Sequence, residues 1–195
     1  MDLRERWGRT WRAADLAPPL GLFERLQAGY REPHRHYHTD RHLEECFEAG
    51  DLLCATPDVE LALWFHDAIY DTARHDNEAR SAAWARKSIS DPERGARVHD
   101  LILATRHDAL PASQEERIVV DVDLSILGAM PARFDEYERQ IRREYRWVPA
   151  PLYRRKRAAI LRGFLDREAI YTTPLMHRRL ESQARENLAR SLASG

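Results

Sequence analysis

From Val59 to Ile69 the chain is built mainly of Val, Leu, Ala, Trp, Phe and Ile, and near the end of that run His66 and Asp67 stand side by side. A helix of such composition belongs in the middle of a domain. Burying an ionised carboxylate there is costly unless a cation or several donors compensate it. A metal ion is the simplest compensation. Taken alone, the pair is more often structural than not, so its weight depends on what the rest of the chain supplies.

The remaining segments read as helices. Trp7, Trp11 and Leu16 give residues 3–15 a helical spacing that ends before Pro18-Pro19, and Leu20, Phe23, Leu26 and Tyr30 line one side of a second helix, 20–30. Thr39 or Asp40 is an N-cap for a helix to about Ala55, Pro57-Asp58 opens the apolar one, and Asp76-Asn77-Glu78 opens another to Ile89. Residues 93–106 follow, with Val98, Leu101 and Ile102 facing inward. Residues 118–127 are rich in β-branched side chains, which favour a strand. No second strand-like run exists to pair with them, and a lone strand cannot satisfy its backbone, so a helix is expected there too. Pro131, a stretch from 151 to 169, and Thr173-Pro174 mark the last three helices. The fold class expected is all-α, in one domain over 1–195.

At 195 residues the chain can bury a real core. Lys and Arg number 31 against 32 Asp and Glu, a net charge of −1, which gives no support to a nucleic-acid coat or an anionic-membrane binder. The charged start, Asp2-Leu3-Arg4-Glu5-Arg6, lacks the apolar core of a signal peptide, and no run reaches the ~18 apolar residues of a membrane helix. Two cysteines, Cys46 and Cys54, do not suggest a disulfide framework. A reduced, cytoplasmic protein is expected.

Other chemistry-bearing residues give the His-Asp pair its context. His38 and His42 share a face if helical geometry extends back to His38. His42 precedes His66 by 24 residues, one helix and a turn. Asp121 and Asp123 lie in an apolar segment where bare carboxylates need partners. Two imidazoles and two carboxylates make a nitrogen and oxygen site suited to Mn, Fe, Zn, Co or Mg, with positions left for water. Such an ion lowers the pKa of its water and favours attack on phosphorus.

The order His, then His-Asp, then Asp resembles the signature of the HD-domain superfamily of metal-dependent phosphohydrolases. Tyr37-His38-Thr39-Asp40-Arg41-His42 is similar to the Tyr-His-Asn-x-x-His segment of its cyclic-nucleotide phosphodiesterase branch, where the first His is a general acid and the second a ligand. Asp121-Val122-Asp123-Leu124-Ser125 resembles the segment that supplies the last ligand. Trp64-Phe65-His66-Asp67-Ala68-Ile69-Tyr70-Asp71, Asp76-Asn77-Glu78-Ala79-Arg80-Ser81-Ala82 and Ala104-Thr105-Arg106-His107 look like a little-characterised phosphohydrolase branch. The absence of Gly-Lys after His66-Asp67 departs from the cyclic-di-GMP branch. The resemblance spans about residues 30–130, leaving the C-terminal helices to pack on that core.

It implies an HD-type helical bundle in which His42, His66, Asp67 and Asp123 hold a divalent metal, Asp67 also serves catalysis, and His38 protonates the leaving group. Asp123 is preferred to Asp121 because it directly precedes Leu124. Asp71, a turn residue or a support behind the ligands, and Glu78, a first-turn acid matched to the helix dipole, are weaker candidates. His107 is another, and with Glu78 it could serve a second ion, a substrate phosphate or neither. The substrate implied is a small phosphoester, in the nucleotide class or derived from it, with no nucleic-acid or membrane partner, and a homodimer stays open. The alternative is a domain of the same kind that binds metal or nucleotide and turns nothing over.

Overall fold

The computed structural model describes residues 2–194. Among them are ten α-helices and one 3-10 helix, and no strand. The expected all-α class is observed. No described helix is long and apolar enough to cross a membrane. By contacts the chain falls into two compact units, one ending at Val122 and one beginning at Asp123.

The first unit holds α1 (Leu3–Ala13), α2 (Leu22–Tyr30), α3 (Asp40–Leu52), α4 (Pro57–Phe65), α5 (Asn77–Ser88), α6 (Pro92–Ala104) and α7 (Gln114–Asp123) up to its last residue. Helix α4 is central: it packs on α1, α3, α5 and α6, and every residue from Asp58 to Phe65 is buried. Its start is set by Thr56, whose hydroxyl accepts from the Val59 amide at 3.3 Å, and by Pro57, which has no amide to leave unpaired. A helix apolar on every side is what a buried position demands. Leu61, Leu63, Trp64 and Phe65 each contribute about 1.5–3 kcal/mol by leaving water. Trp64 meets Trp7 edge-on at 5.1 Å and Phe47 at 4.7 Å between ring centroids.

Apolar contact on all sides would leave the rotation of α4 about its axis weakly fixed. Its two acids fix it. Glu60 accepts from Arg6 at 2.7 Å and from the Thr10 hydroxyl at 2.5 Å, both from α1. Asp58 is paired with Arg94 at 2.7 Å and Arg97 at 2.9 Å, both from α6. Any rotation would strand two buried carboxylates, so the C-terminal end of α4 emerges at a defined place. Gly29, in α2, lets that end be approached closely, since a Cβ there would stand 2.9 Å from the Ala68 carbonyl oxygen.

The segment with the strand-like composition is helical, as expected, but in two pieces: α7, then a 3-10 helix, Leu124–Gly128, which begins the second unit. The rest of that unit is α8 (Pro131–Glu144), α9 (Ala150–Leu165) and α10 (Pro174–Ser194). The 3-10 carbonyls are satisfied by side chains distant in sequence. Tyr171 donates its hydroxyl to Leu124 O at 2.9 Å, and the buried Asn187 amide donates to Leu127 O at 2.9 Å and to Ala129 O at 2.8 Å. Gly128 permits this approach, because a Cβ there would lie 2.5 Å from that of Leu180.

Candidate metal centre

His42 sits in the first turn of α3 and His66 caps the C-terminal end of α4, and both are buried. Their Nε2 atoms face each other at 3.0 Å. The Nδ1 of His66 lies 2.8 Å from the Leu63 carbonyl oxygen. A carbonyl can only accept, so Nδ1 carries a proton and Nε2 is the nitrogen turned toward the site. That is the arrangement of a ligating histidine whose other nitrogen is anchored to the backbone.

Asp67 completes a triangle. Its Oδ2 is 3.0 Å from His66 Nε2 and 3.4 Å from His42 Nε2. Donors about 2.0–2.1 Å from one ion, at angles of roughly 90–110°, lie about 3.0–3.4 Å apart, so these three atoms have the spacing of three ligands to one metal. Burial pushes the Asp67 carboxyl up, but the charges of His66 and His38 and hydrogen bonds from His42 and His66 outweigh it, holding the group well below the usual carboxylate range. Asp67 is therefore ionised.

His42, Cys46, His66 and Asp123 form a group that could hold a metal ion, with one ligand atom from each within 4.8 Å of the others; Asp67, in the triangle with the two histidines, is outside this group of four. Asp123 is the last residue of α7, whose other residues belong to the first unit. Asp121, fully buried, is outside the group. Two residues along a helix turn by about 200°, so only one of the two aspartates can face a given neighbour. Cys46 was not among the residues the sequence pointed to. It follows His42 by four places on α3, and its Sγ lies 3.6 Å from Nε2 and 3.7 Å from Nδ1 of that ring. Near-equal distances put the sulfur beside the ring rather than out along the Nε2 lone pair.

His38 precedes α3, which starts at Asp40, so it does not share a helical face with His42. Its ring is nonetheless close, with centroids 5.7 Å from His42 and 4.1 Å from Tyr70. Arg35, also unread in the sequence, has no exposed side-chain surface. It donates to the backbone carbonyls of His38, Asp67 and Ala68 at 3.3, 2.6 and 3.2 Å. Helix α5 steadies the chain beyond Ala68. The Ile69 amide donates to Ser81 Oγ at 3.0 Å, and Asn77 exchanges hydrogen bonds with the Asp71 amide and carbonyl at 3.1 and 2.9 Å.

Asp71 is exposed, and its carboxylate accepts from the Ala73 amide at 2.9 Å, which makes it a turn residue. Glu78 is half-buried in the first turn of α5, and His107 follows α6 with φ of +58°. Asp71, Glu78 and His107 are outside the His42 group. In comparison with known proteins, the chain matches no family model, no curated protein and no solved structure.

Proposed function

We propose that the protein is a cytoplasmic, metal-dependent hydrolase of small phosphoesters, of nucleotide type or derived from nucleotides. The observation that carries this reading is the triangle of His42 Nε2, His66 Nε2 and Asp67 Oδ2, with edges of 3.0, 3.0 and 3.4 Å. Its donor set, nitrogen and oxygen, suits a divalent ion of the first transition row or Mg. The free state of Cys46 and Cys54 fits a reducing compartment.

When bound, the ion supplies an activated water and positive charge for phosphoryl oxygens. The protein's part lies with its side chains. His42 and His66 offer lone pairs from two different helices, and the Leu63 carbonyl keeps the His66 proton on the far nitrogen. Asp67 contributes negative charge and balances the ion. His38, held beside the Tyr70 ring and close to His42, is placed to give a proton to the leaving oxygen of an ester bound at the triangle.

The test is hydrolysis of p-nitrophenyl phosphate and bis(p-nitrophenyl) phosphate, then a panel of nucleotides, with millimolar Mn supplied. Turnover in the wild type and none in Asp67→Ala is the expected result. A wild type that binds Mn and hydrolyses none of these esters would overturn the reading and leave a metal-binding module.

A further inference from the structure

Arg35, in the irregular stretch between α2 and α3, makes four hydrogen bonds through three nitrogens, three of them to backbone carbonyls. Nε donates to Glu32 Oε2 at 3.0 Å and Nη2 donates to Ala68 O at 3.2 Å. Nη1 donates to two carbonyls at once: Asp67 O at 2.6 Å and His38 O at 3.3 Å. The guanidinium carbon also lies 5.2 Å from the Tyr30 ring centroid and 5.4 Å from that of Tyr70, the ring against which His38 rests. A buried cation with no exposed surface needs such compensation, and here it comes largely from backbone oxygens.

The two residues joined by Nη1 have different tasks. Asp67 is a ligand candidate that follows α4, and His38 is the proton-donor candidate in the irregular stretch before α3. No helix carries both. Their backbones are tied to one another through a single nitrogen atom of Arg35.

We infer that Arg35 is a positioning residue that sets the proton donor His38 and the metal ligand Asp67 in one frame; this rests on the phosphohydrolase reading above. It touches neither substrate nor metal. A planar fork with fixed donor directions can bridge three carbonyls and a carboxylate, whereas the compact ammonium of lysine cannot span them. Arg35→Lys therefore keeps the charge and removes the bridge.

The experiment compares wild type, Arg35→Lys and Arg35→Gln, each checked for native helicity by circular dichroism. Titration with Co(II), followed by its visible absorption, reads the metal site without any turnover. Turnover of p-nitrophenyl phosphate, whose leaving group needs little protonation, is compared with that of an alkyl phosphate, whose leaving group needs a proton. A folded Arg35→Lys should bind Co(II) about 10- to 100-fold more weakly, the usual loss when a residue supporting a ligand is changed. At saturating Co(II) its alkyl ester rate should fall at least about tenfold more than its nitrophenyl rate, because general-acid assistance is lost. Added to His38→Ala, the same substitution should no longer separate the two esters. Unchanged Co(II) affinity with an unchanged ester ratio in a folded variant would overturn the inference. If wild type hydrolyses neither ester with Co(II), nor the diester and nucleotides named above with Mn, the phosphohydrolase reading fails. The hold of Arg35 on Asp67 is then decided by the Co(II) titration alone: weaker binding supports it and equal binding ends it.

Discussion

The Nε2 atoms of His42 and His66 lie 3.0 Å apart, although 24 residues and a change of helix separate them. With the Nδ1 proton of His66 held by Leu63 O, that ring turns Nε2 toward its neighbour. Two buried imidazoles and the Asp67 carboxylate then converge on one point. A divalent cation satisfies all three at once. His42→Ala, His66→Ala and Asp67→Ala should each lose bound metal and turnover together. Elemental analysis of purified wild type and variants checks this, and a variant that retains full metal would remove its residue from the ligand set.

His38 has a different expectation. Its ring approaches His42 but is backed by Tyr70, and it is not part of the triangle of His42, His66 and Asp67. His38→Ala should keep metal at the wild-type level. Turnover of esters with poor leaving groups should drop by about 10²–10⁴, the usual contribution of a general acid. Loss of metal in this variant would show that His38 ligates instead.

Helix positions were legible in the sequence because apolar spacing, Pro and capping residues act locally. The helices starting at Asp40, Pro57, Asn77, Pro131 and Pro174 begin within a residue or two of their sequence signals. What depended on distant partners was not legible. The break of 118–127 into α7 and a 3-10 turn depends on Asn187 and Tyr171 reaching carbonyls some 47 to 60 residues away. At the site, His66 and Asp67 stand out as polar residues ending an apolar run, whereas His42 and Asp123 were legible through their order and spacing and the resemblance those support. Arg35 does not, because an arginine in a histidine-rich loop looks solvated until the three carbonyls around it are seen. Cys46 carried one readable signal, its place four residues after His42 on the same helix.

Gly29 tests how closely α2 must approach the turn after Asp67. In a helix Ala is favoured over Gly by about 1 kcal/mol. Against that, the new Cβ would stand 2.9 Å from a backbone oxygen, Ala68 O, which cannot rotate away. Overpacking of this kind costs about 1–3 kcal/mol, so the net effect of Gly29→Ala should be destabilising, with weaker metal binding as the turn shifts. Urea unfolding together with a Mn titration measures both. A more stable variant with unchanged metal affinity would mean that the turn yields freely.

The acids of α4 should dominate the electrostatic contribution to the first unit. Glu60 has 11% of its side chain exposed and accepts from Arg6 and Thr10. Glu60→Ala leaves the buried Arg6 with Asp51 and the Phe47 ring, takes away a charged hydrogen-bond partner, and should cost about 1–3 kcal/mol. Glu60→Gln keeps the shape and should cost less. Equal losses in the two variants would indicate that packing, not charge, is what Glu60 supplies.

Asp51, the other partner of Arg6, should behave differently because half of its side chain meets solvent. A hydrogen bond from Arg6 lowers its carboxyl below the ordinary value; burial opposes this, and the charges of Arg6 and Arg9 reinforce it. With the folded value below the unfolded one, about 3.9, the carboxylate stabilises the fold fully above that pH. The contribution declines as pH falls below it and is gone once pH has passed through the folded value. Wild type should therefore melt above Asp51→Asn at pH 7, by a small margin that salt reduces, since the pair is half-exposed. That margin should hold down to about pH 5 and close below about pH 4. Melting curves of both proteins from pH 7 to pH 3 check it, and a margin that closed near neutrality would assign the effect to another titrating group.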